Sequence, residues 1–331
     1  MTSLVTTVTE TLRYRGQLGQ WSWVLHRVSG LGTVLFLILH VIDTSWAAFY
    51  PKDYEQAIRE YQSPLFTVGE FLLVACVVYH AFNGLRIILL DYKPAWWAYQ
   101  RRAATLVFVA TLLVLAPTFI LMVGHVLDFY GEEGRDIAGL DEIIETQAQF
   151  FIGFIVILVG ALILSALFGL IARSRATFDL PGRLEAALWS FMRLSGLLIL
   201  PLVFGHLAMM HVIQGVFDIT GSGIGIIGTD VINQSGKAVE FVGQRWDMLV
   251  VGVAIWRVYD GLLLALVVLH GFNGLRGVVN DYTHPPLVNR ALNYAIIFGA
   301  IALIVVGMAA LLAGVDETAY RIAEDLTASA S

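Results

Sequence analysis

The chain has 331 residues, of which 58% are hydrophobic and 14% charged. Soluble domains carry about 25% charged residues and about 45–50% apolar ones, so this composition argues against a soluble globular protein. The one cysteine, Cys76, lies inside an apolar run. Disulfide frameworks, thiolate-held iron–sulfur clusters and cysteine-type zinc sites are thereby excluded. The net charge of −6 gains meaning only when it is divided between membrane sides.

A helix that crosses the hydrocarbon core needs about 20 mostly apolar residues. Long apolar runs predict seven transmembrane helices, over 23–49, 65–90, 103–127, 150–172, 184–216, 250–279 and 291–313. The first stretch of chain is Thr-rich, lacks an apolar core and leads to Arg13 and Arg15, so no signal peptide is expected there. With the N-terminus inside, the inner segments carry 13 of the 20 Lys and Arg residues but 5 of the 26 acidic ones. That basic bias marks the cytoplasmic side. It leaves the N-terminus cytoplasmic and the C-terminus outside.

The chain repeats. His26-Arg27-Val28-Ser29-Gly30 and His40 match Met192-Arg193-Leu194-Ser195-Gly196 and His206 at an offset of 166. His80-Ala81-Phe82-Asn83-Gly84-Leu85-Arg86 and Asp91-Tyr92 match His270-Gly271-Phe272-Asn273-Gly274-Leu275-Arg276 and Asp281-Tyr282 at an offset of 190. The expected fold is an all-α integral membrane protein with two parallel three-helix units, 1–127 and 184–331. The segment 128–183 supplies an acidic outer loop and a linker transmembrane helix, which returns the chain to the inner side.

Four histidines lie deep in these helices at matching places: His40, His80, His206 and His270. Intramembrane ionisable residues are costly and usually functional. One such His reads as a neutral ring bonded to a neighbouring helix, but two equivalent pairs ask for a shared ligand. Haem iron fits them, since two imidazoles close both axial positions and a closed site suits electron transfer. Zinc is the weaker fit, because catalytic zinc keeps an open position. Gly84 and Gly274 follow His80 and His270 by four residues on the same helix face, which makes room for a porphyrin or for close helix packing. Arg27 and Arg193 stand where haem propionates need cations, although any single Arg there also satisfies the positive-inside bias. His211 follows His206 by five residues, on a different face of an α-helix. His125 and His284 lie at helix ends, as does His26, which sits beside Arg27 where a propionate or a substrate would be served.

These motifs together closely resemble the cytochrome b membrane anchor of succinate dehydrogenase (succinate:quinone oxidoreductase, respiratory complex II). The first unit is similar to the larger anchor subunit: Trp21-Ser22-Trp23, His26-Arg27, His40 to Thr44, and His80 to Tyr92. The second is similar to the smaller one: Met192 to Gly196, His206, Gln244-Arg245-Trp246, and His270 to Tyr282. The linker helix and the acidic 128–147 loop fall outside the likeness.

The resemblance implies a bacterial cytoplasmic-membrane subunit that passes electrons to quinone, while succinate is oxidised on a flavoprotein partner with FAD. An iron–sulfur partner would dock on the basic inner face. Lipid surrounds the chain, and nucleic acid is not a partner. The resemblance places quinone between Arg27, Asp281 and Tyr282, with Asp91 and Tyr92 the symmetric copy. The family often has Ser three residues before the first-helix histidine, and Trp23 stands there. The expectation is two haem b groups, held by His80 with His270 and by His40 with His206, and a low-potential quinone such as menaquinone. Two readings from other classes compete: a haem-free transporter or channel with midplane histidines, and a transmembrane haem reductase of the cytochrome b561 kind.

Overall fold

Lipid offers no water to unpaired amides, so an apolar segment satisfies its backbone internally as a helix. The computed structural model describes residues 16–131, 139–171, 177–178 and 180–316. Arg13, Arg15, Arg173 and Arg175, used above to orient the chain, lie outside the described residues. The helices are α1 (Leu18–Phe49), α2 (Pro51–Tyr61), α3 (Pro64–Tyr92), α4 (Gln100–Gly131), α5 (Leu140–Ile171), α6 (Gly182–Leu207), α7 (Ala238–Asp247), α8 (Ile255–Tyr282) and α9 (Pro286–Ala313). Proline opens α2, α3 and α9, where its missing N–H costs no hydrogen bond. A π-helical turn, Ala208–Ile213, continues α6.

Among the described residues, six helices are long and apolar enough to cross a membrane: α1, α3, α4, α6, α8 and α9, with α4 and α6 counted with their adjoining short turns. The chain is thus an all-α, multi-pass membrane protein. The expected linker span 150–172 falls on α5, whose qualifying apolar part is the shorter stretch Ile155–Ile171. Its last residue, Ala172, is outside the described residues.

One boundary differs in kind. The span expected from 250 begins at Ile255, because Leu249–Val250 and Val253–Ala254 pair as an antiparallel hairpin. Val251 and Gly252 turn it, with φ of 53° and 79°. A short apolar, β-branched run reads alike as strand or helix by hydropathy, and the glycine turn decided between them.

The helices α1, α3, α6 and α8 pack around a common axis, each against the next. Helix α4 lies outside on α3, and α9 outside on α8 and α1. Leu106, Leu112, Leu113 and Ile120 of α4 are exposed, as suits a lipid-facing side. Helix α5 packs on α9, where the Ser165 hydroxyl donates to the Leu287 carbonyl at 2.7 Å. None of its described residues lines the central cavity.

At one end of the bundle, α2, α7 and the short loops form a small lobe. Phe241, Val239 and Ala238 are fully buried there against Tyr54, Ile58 and Ile226. Glu55 accepts the Val239 N–H at 2.8 Å. Burial pushes the Glu55 carboxyl above the ordinary carboxylate range, and the amides of Val239 and Ala238 act against that.

Candidate functional site: a cavity between two histidine clusters

A cavity of about 590 Å³ runs between α1, α3, α6 and α8. Its walls include His26, His40, His80, His206, His211 and His270. The candidates Arg27, Arg193, Gly84, Gly274 and Asp281 line it as well. His125 does not line it; its Nδ1 lies 3.9 Å from Asp218. His284 is exposed in the loop between α8 and α9.

The first cluster joins α1, α3, α6 and α8. The rings of His80 and His270 have centroids 6.4 Å apart at 86°. Each outer nitrogen is held. His80 Nδ1 meets the His26 carbonyl at 3.0 Å; a carbonyl only accepts, so Nδ1 carries the proton and Nε2 the lone pair. His270 Nδ1 meets Ser195 Oγ at 2.9 Å. Ser195 spends its one proton on the Phe191 carbonyl at 2.6 Å, so it accepts from His270, and Nε2 again has the free lone pair. His26 stacks flat on His80, with centroids 4.0 Å apart. Placed above at a helix end, His26 is therefore part of this half-buried cluster.

Gly30 lets the His80 ring approach: a Cβ there would meet His80 Cε1 at 2.8 Å, whereas one on Gly196 would be in ordinary contact with His270 Cε1 at 3.4 Å. Gly84 and Gly274 face His26 and Met192 in turn, at 3.6 and 3.7 Å. Sequence reasoning passed over Gly30 and Gly196. Their signal was present in the repeated Ser-Gly at the 166 offset.

The second cluster holds His40, His206 and His211. His40 lies 5.8 Å from His206 and 6.3 Å from His211, centroid to centroid. His211 Nδ1 is 2.6 Å from Glu70. Sequence reasoning ranks His211 below His206 and reads Glu70, with its equivalent Asp260, as an interfacial carboxylate at the outer helix end.

Near the first cluster, Arg27 is bonded to Asp281, and its guanidinium lies 4.2 Å from the Trp23 ring centre and 5.7 Å from that of Tyr282. The three residues expected to meet quinone are thus neighbours, with Tyr282 exposed. Arg193 is bonded in the same way to Asp91 and lies 3.3 Å from the Trp189 ring centre. The serine missing at Trp23 is replaced by a structural one beside it. Ser22 is fully buried, donates to Asn83 at 2.6 Å and accepts from Arg86 at 2.8 Å.

These residues fit a bis-imidazole haem. An imidazole–metal bond is about 2.0–2.1 Å, so two rings on opposite sides of one metal have centres about 6 Å apart. Both clusters have that spacing. The Nδ1 atoms of His26 and His206 are buried without a hydrogen-bond partner, in a cavity that a polar ligand would share. Among the described residues, no three of His, Cys, Asp and Glu are arranged to hold a bare metal ion.

Fold and cavity define a helical, multi-pass membrane protein with paired intramembrane histidines. A family model described as the succinate dehydrogenase/fumarate reductase transmembrane subunit matches residues 6–122. Over 135 residues the chain is 34% identical to the succinate dehydrogenase 2 membrane subunit SdhC of Mycobacterium tuberculosis, a match covering 39% of this chain and 99% of that protein. It is 33% identical over 70 residues to the succinate dehydrogenase hydrophobic membrane anchor subunit of Archaeoglobus fulgidus, covering 21% of this chain and 60% of that protein. It is 28% identical over 105 residues to the subunit of the same name in Halobacterium salinarum, covering 31% and 81%. No solved structure matches. The chain belongs to the family of succinate dehydrogenase membrane anchor subunits.

Proposed function

We propose that this chain is the fused cytochrome b anchor of a bacterial succinate:quinone oxidoreductase, holding two haem b groups and reducing a membrane quinone. The observation that carries the reading is the placement of the His80–His270 pair in one cavity with the Arg27–Asp281 pair. The two motif-matched units, 1–127 and 184–331, would then be joined anchors, with α5 the seventh crossing between them.

Haem bound in the cavity supplies one-electron transfer. The protein's own groups do the rest. His80 and His270, whose Nε2 atoms carry free lone pairs, would hold the haem iron. The Tyr282 hydroxyl donates to a quinone carbonyl, and Arg27 stabilises the negative charge that builds on the quinone oxygen. Asp281 holds the Arg27 guanidinium in place and, being exposed to solvent, would relay a proton taken from water to the reduced oxygen. Arg27 and Arg193 line the cavity and would pair with haem propionates.

A flavoprotein with FAD and an iron–sulfur protein would be the partner chains, docked on the basic face that carries Arg27 and Arg193. Two haems, one held by each histidine cluster, would favour a low-potential quinone of the menaquinone type. The N-terminus would lie in the cytoplasm and the C-terminus outside.

The complex, purified from its own membranes, tests this. A dithionite-reduced-minus-oxidised spectrum should show a b-type α-band, and a flavoprotein and an iron–sulfur protein should co-purify. A band without those partners would favour a haem reductase of another kind. No band would leave a transporter or channel.

A further inference from the structure

His206 and His211 stand 5.6 Å apart, centroid to centroid, and both face His40. Their outer nitrogens differ. His211 Nδ1 is bonded to the Glu70 carboxylate at 2.6 Å. His206 Nδ1 is buried with no partner. A ligating imidazole normally donates its second N–H to an acceptor, which fixes the tautomer and turns the other nitrogen to the metal. His80 and His270 follow that pattern, through the His26 carbonyl and Ser195. In the second cluster His211 follows it, whereas among the described residues neither His206 nor His40 has such a bond.

Spacing agrees. The His40–His211 centroid distance of 6.3 Å nearly equals the 6.4 Å of His80 and His270, while His40–His206 is 5.8 Å. The backbone explains how His211 arrives. Five residues along an α-helix of about 3.6 per turn lead to another face. His211 lies in the π-helical turn Ala208–Ile213, whose wider i→i+5 winding brings a fifth residue back toward the face of the first. Such turns concentrate at functional sites.

We propose that His211, oriented by Glu70, is the imidazole opposite His40 in the second haem-binding pair, and that His206 lines the cavity without ligating. This rests on the two-haem reading above. Glu70 is a positioning residue: its charge makes His211 a more basic ligand.

The test uses the whole purified complex with His211→Ala, His206→Ala and Glu70→Gln. Haem per chain is read by the pyridine haemochrome assay, low-spin signals by electron paramagnetic resonance, and midpoints by redox titration. We expect two haems in the parent and in His206→Ala, and one in His211→Ala with loss of one low-spin signal. Glu70→Gln keeps both and raises one midpoint, a change that a purely structural Glu70 would not make. One haem in the parent ends the two-haem reading and this assignment together. Two in the parent, with His206→Ala falling to one or His211→Ala keeping two, overturns this assignment alone. If His211→Ala does not accumulate, His211→Met is read instead. A thioether ligand raises the midpoint, and an unchanged midpoint overturns the proposal.

Discussion

Arg27 on α1 is bonded to Asp281 at the end of α8. Its counterpart 166 positions on, Arg193 of α6, is bonded to Asp91 at the end of α3. Each arginine also lies over a tryptophan four residues earlier in its own helix, Trp23 or Trp189. The two bonds therefore relate the first helix of each repeated motif to the second helix of the other. They differ in their surroundings. His26 precedes Arg27 and lies stacked on His80, whereas Met192 precedes Arg193.

On the proposed reading, that difference would make the two corners unequal toward quinone. Arg27→Ala, Asp281→Asn and Tyr282→Phe should each lower succinate:quinone reductase turnover, by about 10²–10³ for loss of a positioned donor. Haem content should hold. Arg193→Ala and Asp91→Asn should cost far less. The measurement is turnover with a soluble quinone beside a haem assay. A reversed order would move quinone to the Asp91–Tyr92 corner.

The glycines beside the His80 and His270 rings can be told apart by clearance. A methyl on Gly30 would sit 2.8 Å from His80, too close for the ring to stay. One on Gly196 would sit 3.4 Å from His270, an ordinary contact. Gly30→Ala should reduce haem occupancy or displace a low-spin signal, and Gly196→Ala should leave both unchanged. Spectra of the two purified variants decide it.

Ser22 serves stability. It is fully buried and satisfies Asn83 and Arg86, while its carbonyl accepts from Tyr79 at 3.1 Å. Ser22→Ala leaves buried polar groups short of partners, at a cost of about 1–3 kcal/mol. The thermal midpoint in detergent should fall. An unchanged midpoint would mean that water or another side chain replaces the hydroxyl.

Val251 is 98% exposed at a φ of 53°, a conformation that β-branched residues adopt only under strain. Val251→Gly should relieve about 1 kcal/mol or more of it. The thermal midpoint should hold or rise, with turnover unchanged. A clear fall would show that the valine side chain makes contacts that outweigh its strain.

Membrane class, the run of apolar helices and the repeated motifs were legible without coordinates. Hydropathy sums along the chain, and a motif is read position by position, so both survive without knowledge of packing. The neighbourhood of Arg27, Asp281 and Tyr282 followed from family likeness alone. The hairpin at 249–254 did not, because a short β-branched run carries the same hydropathy as a helix. His211 was set aside for a reason of the same kind: an α-helical count of residues per turn was applied to a segment that winds as a π-helix. Its bond to Glu70 spans 141 positions and depends on how α3 lies against the end of α6. The sequence determined which polar groups would be buried in lipid. Their partners were decided by helix packing, since a buried group must bond whatever the fold brings within about 3 Å of it.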